Sequence, residues 1–229
     1  MEPQMQQPIP LTRERVKTPR AAAIAGILFS VLLSATLILL RISVQEFSPE
    51  AQEWPVTSTG TVILALNLVP FAGIAFLWFI GVVRDRIGEQ EDRFFATVFL
   101  GSGLLFVAML FASAAFAGGL ITDEALRNAA TAQPATLTLG RQVSSLLLRV
   151  YAMRMAGVFT LNAATIALRT GVLARWIGIV GVAAALILLV TLGMSPWVEL
   201  VFPAWILLVS ADMLWAGLRP RPAAATAVA

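Results

Sequence analysis

The sequence contains neither cysteine nor histidine. Disulfide bonds, the common protein ligands of haem and iron–sulfur clusters, and zinc sites built from cysteine and histidine are therefore excluded. Catalysis by a cysteine nucleophile or a histidine base is excluded as well. We expect no cofactor, and we assign no catalytic and no metal-binding residue.

Charge is also scarce, because charged residues make up 13% of the chain, against about 25% in a soluble domain. Hydrophobic residues make up 59%, and the mean hydropathy is +0.84. This composition favours a lipid bilayer as the surroundings. The net charge of +3 does not indicate nucleic-acid binding, because the basic residues flank apolar runs.

The apolar residues fall into runs near the length of about 20 residues that crosses a bilayer as a helix. We therefore predict an all-α fold, a polytopic transmembrane bundle of about six helices within residues 20–218. The expected spans are 21–40, 61–83, 94–118, 142–168, 176–194 and 197–218. Residues 1–19 and 219–229 are expected to be disordered tails.

Local signals mark two of the connections between these spans. Ser195 followed by Pro196 predicts a capped, tight turn before the last span. Thr122 is expected to cap a short helix that Pro134 ends.

The distribution of basic residues predicts the orientation in the membrane. With the N-terminus inside, the inner segments carry eleven arginines and lysines and the outer segments carry three. Cytoplasmic loops are the ones enriched in these residues, so both termini are expected in the cytoplasm. Lys17 is the only lysine, and this preference for arginine suggests a GC-rich bacterial genome. The expected location is thus the bacterial cytoplasmic membrane.

The fourth predicted span is unusual because it contains two arginines. An arginine at the centre of a span costs about 2.5–3.5 kcal/mol on insertion scales, and such residues usually face the bundle interior or water and pair there. At 100° per residue, Tyr151, Arg154, Asn162 and Thr165 share one side of this helix. With Asn67 of the second span, they are candidates for a polar ligand or ion path.

Acidic residues in the last span suggest ion pairs between helices. Arg149 lies on a different face from Arg154, together with Gln142 and Ser145. Arg149 and Glu199 are expected at similar depth, so we predict that they pair. Asp212 lies near the cytoplasmic end, where Arg169 or Arg84 can reach it.

These polar groups leave two functions open. One is a small permease or channel-like protein with a polar path along the fourth helix. The other is a structural, accessory or regulatory membrane protein, in which the polar groups only fix helix packing. Small residues four apart, such as Ala22 with Gly26 and Ala108 with Ala112, favour close helix packing. They also leave a homo-oligomer or a partner membrane protein open, besides the lipid bilayer itself.

Enzymatic motifs are absent from the sequence. There is no H-E-x-x-H, no G-x-S-x-G and no phosphate-binding P-loop. The chain is therefore not expected to be an enzyme.

Two resemblances complete the sequence analysis. The segment Gly81-VVR-Asp85-Arg86-I-Gly88 resembles the cytoplasmic loop motif of major-facilitator transporters, although the acidic Glu89 follows where that family continues with basic residues. Segments 20–29, 169–181 and 202–215 resemble a large group of uncharacterised bacterial multi-helix membrane proteins. That resemblance implies a helical membrane fold and no particular activity.

Overall fold

The computed structural model describes the backbone of residues 18–45, 56–87, 93–126, 134–171, 173–191 and 195–218. Within these ranges the chain is helical and forms no strand, which confirms the all-α prediction. The predicted tails lie outside these ranges, except for Thr18 and Pro19, with which the first helix begins.

Seven α-helices follow one another along the described chain. They are α1 (Thr18–Gln45), α2 (Val56–Ile87), α3 (Arg93–Leu126), α4 (Pro134–Leu146), α5 (Met153–Thr170), α6 (Arg175–Val190) and α7 (Val201–Leu218). A π-helical turn (Leu147–Ala152) joins α4 to α5, and the backbone stays right-handed helical at both junctions. Helix α4, the π turn and α5 therefore form one continuous rod, which we call the α4–α5 rod.

The helices pack side by side in a closed ring. The order around the ring is α1, α2, α3, α5, α6 and α7, and α7 returns to contact α1. Helix α5 also contacts α7 directly, so α6 packs against the outside of that pair. Trp205 of α7 holds α6 in place, because its indole Nε1 donates a hydrogen bond of 3.2 Å to the carbonyl oxygen of Ile177.

Within the described ranges, four helices are long and apolar enough to cross a membrane. Their apolar stretches are Arg20–Ser43, Gly60–Arg84, Phe95–Leu120 and Trp197–Ala216. Side chains on their outward faces are mainly apolar and exposed, as at Ile24 (61%) and Trp78 (70%). Lipid is the solvent that such a surface suits, so the structure indicates a helical membrane protein.

The other two predicted spans differ from the expectation. The fifth was predicted over 176–194, but α6 has 16 residues and ends at Val190. At 1.5 Å per residue it is about 24 Å long, less than the hydrocarbon thickness of about 30 Å. The fourth was predicted to begin at 142, whereas its rod begins at Pro134 and contains the π turn.

The two local signals had different outcomes. The cap at Ser195 is confirmed, since its side chain accepts a hydrogen bond from the backbone N–H of Trp197 and Pro196 begins a 3₁₀ turn (Pro196–Leu200). The prediction for residues 122–134 is wrong, because Thr122 lies inside α3 and Pro134 begins α4. Proline is favoured in the first turn of a helix, where no N–H is needed.

The centre of the ring is filled by phenylalanine. Five helices each place a fully buried phenylalanine at this centre, and we call these five side chains the phenylalanine cluster: Phe29, Phe76, Phe106, Phe159 and Phe202. Neighbouring ring centroids lie 4.5 to 6.2 Å apart, many of them edge to face. Such geometry is favourable for aromatic pairs, so the cluster joins five helices by direct contact.

Candidate functional site

The two arginines of the fourth span lie on the outside of the ring. In an uninterrupted α-helix, Arg149 and Arg154 would point about 140° apart, because each residue turns about 100°. Arg149 lies inside the π turn, in which each residue turns through a smaller angle, and Arg154 follows the turn in α5. As a result Arg149 is 44% exposed, and Arg154 is exposed as well.

The predicted polar stripe does not face a common interior. Tyr151 is 55% exposed and Arg154 is exposed, whereas Asn162 is only 8% exposed. The expectation that Arg154 faces the bundle interior is therefore wrong. The buried side of α5 instead carries small and apolar residues, such as Ala156 and Phe159, which pack into the ring.

The remaining polar residues of the proposed path form hydrogen bonds within their own helices. The amide of Asn162 donates to the carbonyl oxygen of Val158 at 2.8 Å, and the hydroxyl of Thr165 donates to that of Leu161 at 2.8 Å. Asn67, on the exposed side of α2, donates to its own helix in the same way. In apolar surroundings the carbonyl four residues earlier is the nearest acceptor, so these groups present few free donors to a ligand.

Arg149 and Glu199 meet in the structure, as their expected depths suggested. Arg149 Nε lies 3.4 Å from Glu199 Oε1, and the Glu199 side chain is 12% exposed. Arg41 of α1 adds a second positive charge near this carboxylate. The Nε atom of Arg41 is buried and has no hydrogen-bond partner among the residues that the structure describes. The pair therefore links the α4–α5 rod to the 3₁₀ turn that precedes α7.

The pairing predicted for Asp212 is not present among the described residues. Arg169 instead lies over the ring of Phe95, with 4.7 Å between its guanidinium carbon and the ring centroid. This is a favourable cation–π geometry, and it ties the end of α5 to the beginning of α3. The resemblance to the major-facilitator loop motif falls largely on Asp85 to Gly88, whose side chains lie outside the described residues.

A reciprocal serine contact between α3 and α4 was not predicted. The Ser113 hydroxyl donates to the Ser144 carbonyl oxygen at 2.8 Å, and the Ser144 hydroxyl donates to the Ser113 carbonyl oxygen at 2.9 Å. Serines that bond across helices in this way stabilise membrane bundles. The sequence carries no signal for this pairing, because it does not say which helices are neighbours.

An apolar cavity of about 40 Å³ lies between the phenylalanine cluster and the ends of α2 and α5. Its walls include Val83, Phe99, Ala163, Thr170 and Met213. The hydroxyl of Thr170 already donates to the carbonyl oxygen of Ile166. A water molecule needs two to four polar partners, so these walls favour an empty or hydrocarbon-filled space.

The chemistry available in the described residues is limited. No group of three or more Asp or Glu residues lies close enough together to hold a metal ion in this part of the chain. The polar features that stand out are the Arg149–Glu199 pair and the exposed polar side of the α4–α5 rod. Neither forms a polar cavity inside the ring.

In comparisons with known proteins, no family model, curated protein or solved structure matches this chain.

Proposed function

We propose that this chain is a structural, accessory or regulatory protein of a bacterial cytoplasmic membrane rather than a transporter. Both termini lie in the cytoplasm in this proposal, and the bilayer is crossed by α1, α2, α3, the α4–α5 rod, α6 and α7, with the bilayer thinner at the short α6. The orientation is supported by the eleven basic residues of the inner segments against three in the outer ones.

The phenylalanine cluster is the observation that carries the proposal. A path for a polar solute along the middle of the ring would have to pass five fully buried aromatic side chains. Transporter sites near the midplane usually offer polar side chains or unwound backbone to the substrate. At this depth the ring offers phenylalanine, and Tyr151 and Arg154 lie on its outer surface instead.

Flux measurements on the purified protein test this proposal against the permease alternative. The protein is reconstituted into sealed vesicles that contain dyes for protons, potassium and chloride, and a membrane potential is applied. We expect the same flux as in protein-free vesicles, while an added ionophore shows that the dyes respond. Flux above the protein-free level that disappears in Arg154→Ala would establish the permease alternative instead.

Reporter fusions test the proposed orientation. A reporter that is active only in the cytoplasm is fused after Ala229, and one that is active only outside is fused at the same position in a second strain. We expect activity from the first reporter alone. Activity of the external reporter would place the C-terminus outside and reverse the orientation.

A further inference from the structure

The α4–α5 rod differs from the other helices in its outward face. Elsewhere the outward faces are mainly apolar, as at Ile179 of α6 (64% exposed) and Leu105 of α3 (49% exposed). The rod also exposes leucines, such as Leu139 (61%) and Leu146 (52%). Between and beyond them it exposes a series of polar and charged residues: Gln142, Ser145, Arg149, Tyr151 and Arg154. Polar groups facing lipid are costly, so this face is better suited to contact with something other than lipid.

Arg154 is the arginine on this face whose charge is unpaired among the described residues. Arg149 pairs with Glu199, but within the described chain Arg154 has no hydrogen bond and no ion pair. The depth of Arg154 in the bilayer follows from the packing of α5 on α3, where Phe159 lies against Gly103. These helices run antiparallel, so Arg154, five residues before Phe159, lies level with Ala108.

That level is deep in the apolar zone. The apolar stretch of α3 is Phe95–Leu120, and Ala108 lies near its middle. Twelve residues separate Ala108 from Leu120, which corresponds to about 18 Å. A lipid phosphate at that boundary lies well beyond the reach of an extended arginine side chain.

A second copy of this chain is also a poor occupant. A twofold dimer formed through this face would bring the two Arg154 side chains towards each other. Like charges would then be held together in a medium of low dielectric constant. An occupant with a negative charge at this depth avoids both problems, and in a membrane protein that charge is a carboxylate.

We propose that the outward face of the α4–α5 rod binds a transmembrane helix of a partner protein, and that a carboxylate on this helix pairs with Arg154. This inference rests on the proposed accessory function and names the chemistry of its partner. The Tyr151 hydroxyl, on the same exposed side, is a second donor for that carboxylate.

A designed peptide tests this inference without knowledge of the natural partner. The probe is a polyleucine helix of about 20 residues with one glutamate near its middle, at the depth of Arg154, and matched peptides carry glutamine or leucine there. Because the chain lacks cysteine, Leu139→Cys gives a single site for an acceptor dye. Energy transfer from donor-labelled peptide is measured in phosphatidylcholine vesicles. We expect the glutamate peptide to bind about tenfold more tightly than the glutamine peptide.

Variants of Arg154 assign the preference to that residue. Arg154→Leu should remove the preference for glutamate, and Arg154→Lys should retain part of it. Arg154→Glu should bind an arginine peptide in preference to the glutamate peptide, which shows that a charge pair and not a folding defect is responsible. Arg175→Leu removes an exposed arginine at the beginning of α6 and serves as the matched control. It should leave the preference for the glutamate peptide unchanged.

Three outcomes would overturn the inference. The first is equal binding of the glutamate, glutamine and leucine peptides. The second is energy transfer between two labelled copies of the chain that disappears in Arg154→Leu, which would make a second copy the occupant. The third is retention of anionic lipid that depends on Arg154, with no peptide preference. Flux is measured in the same vesicles. If flux is found and the peptide preference is intact, only the accessory role is refuted. If there is no flux and no peptide preference, only this inference is refuted.

Discussion

Replacing Phe76 by alanine tests whether the phenylalanine cluster holds the ring together. The Phe76 ring contacts five other phenylalanines, at centroid distances from 4.5 Å to Phe29 up to 6.3 Å to Phe79. An aromatic pair contributes about 0.5–1.5 kcal/mol beyond the burial of its surface. The lower end applies here, because a chain that unfolds within lipid keeps its phenylalanines in an apolar solvent. Five pairs at about 0.5 kcal/mol each give a loss of about 2.5 kcal/mol.

Phe71→Ala on the same helix is the matched control. The Phe71 side chain is 62% exposed on the outward face of α2, so its removal should lower the free energy of unfolding by less than about 0.5 kcal/mol. Both variants are unfolded in mixed micelles with increasing sodium dodecyl sulfate, and helicity is followed by circular dichroism. Equal losses for Phe71→Ala and Phe76→Ala would refute the argument that the cluster stabilises the ring.

Three further predictions concern other contacts between helices. Gly26→Ala should destabilise the fold by about 1–3 kcal/mol, because a Cβ atom at Gly26 would collide with Ser210 and Phe79. A Cβ atom at Gly101 has no neighbour within 4 Å among the described residues, so Gly101→Ala should be neutral in the same unfolding assay. A double-mutant cycle with Arg149→Gln and Glu199→Gln should give a coupling of about 0.5–1 kcal/mol, since the two side chains lie 3.4 Å apart; zero coupling would mean that the pair contributes nothing. Ser113→Ala should cost about 0.6–1.7 kcal/mol, and an unchanged unfolding midpoint would show that its contact to α4 does not stabilise the bundle.

The fold class followed from properties that are local to the chain. An apolar run of about 20 residues in lipid satisfies its backbone hydrogen bonds by forming a helix, whatever its neighbours are. Four of the predicted spans therefore correspond to long apolar helices. The cap at Ser195 was predictable for the same reason, because it depends on two adjacent residues and not on packing.

In the candidate site, the sequence could predict a contact only between residues of opposite charge at similar expected depth. Arg149 and Glu199 carry opposite charges at similar expected depth, and they meet in the structure. The direction of Arg154 could not be read in this way. Helical periodicity gives the angles between side chains within α5, but which side of α5 faces the ring depends on the helices that pack against it.

The amino-acid sequence by itself determined the solvent, the helical fold class and the absence of cysteine and histidine chemistry, because these depend on composition and run length alone. Only the tertiary structure decided which helices are neighbours. It brought five phenylalanines from five helices to one point, paired Ser113 with Ser144 and left Arg154 on the outside. Contacts between distant segments depend on how the rods are rotated and ordered around the ring, and no local pattern encodes that arrangement.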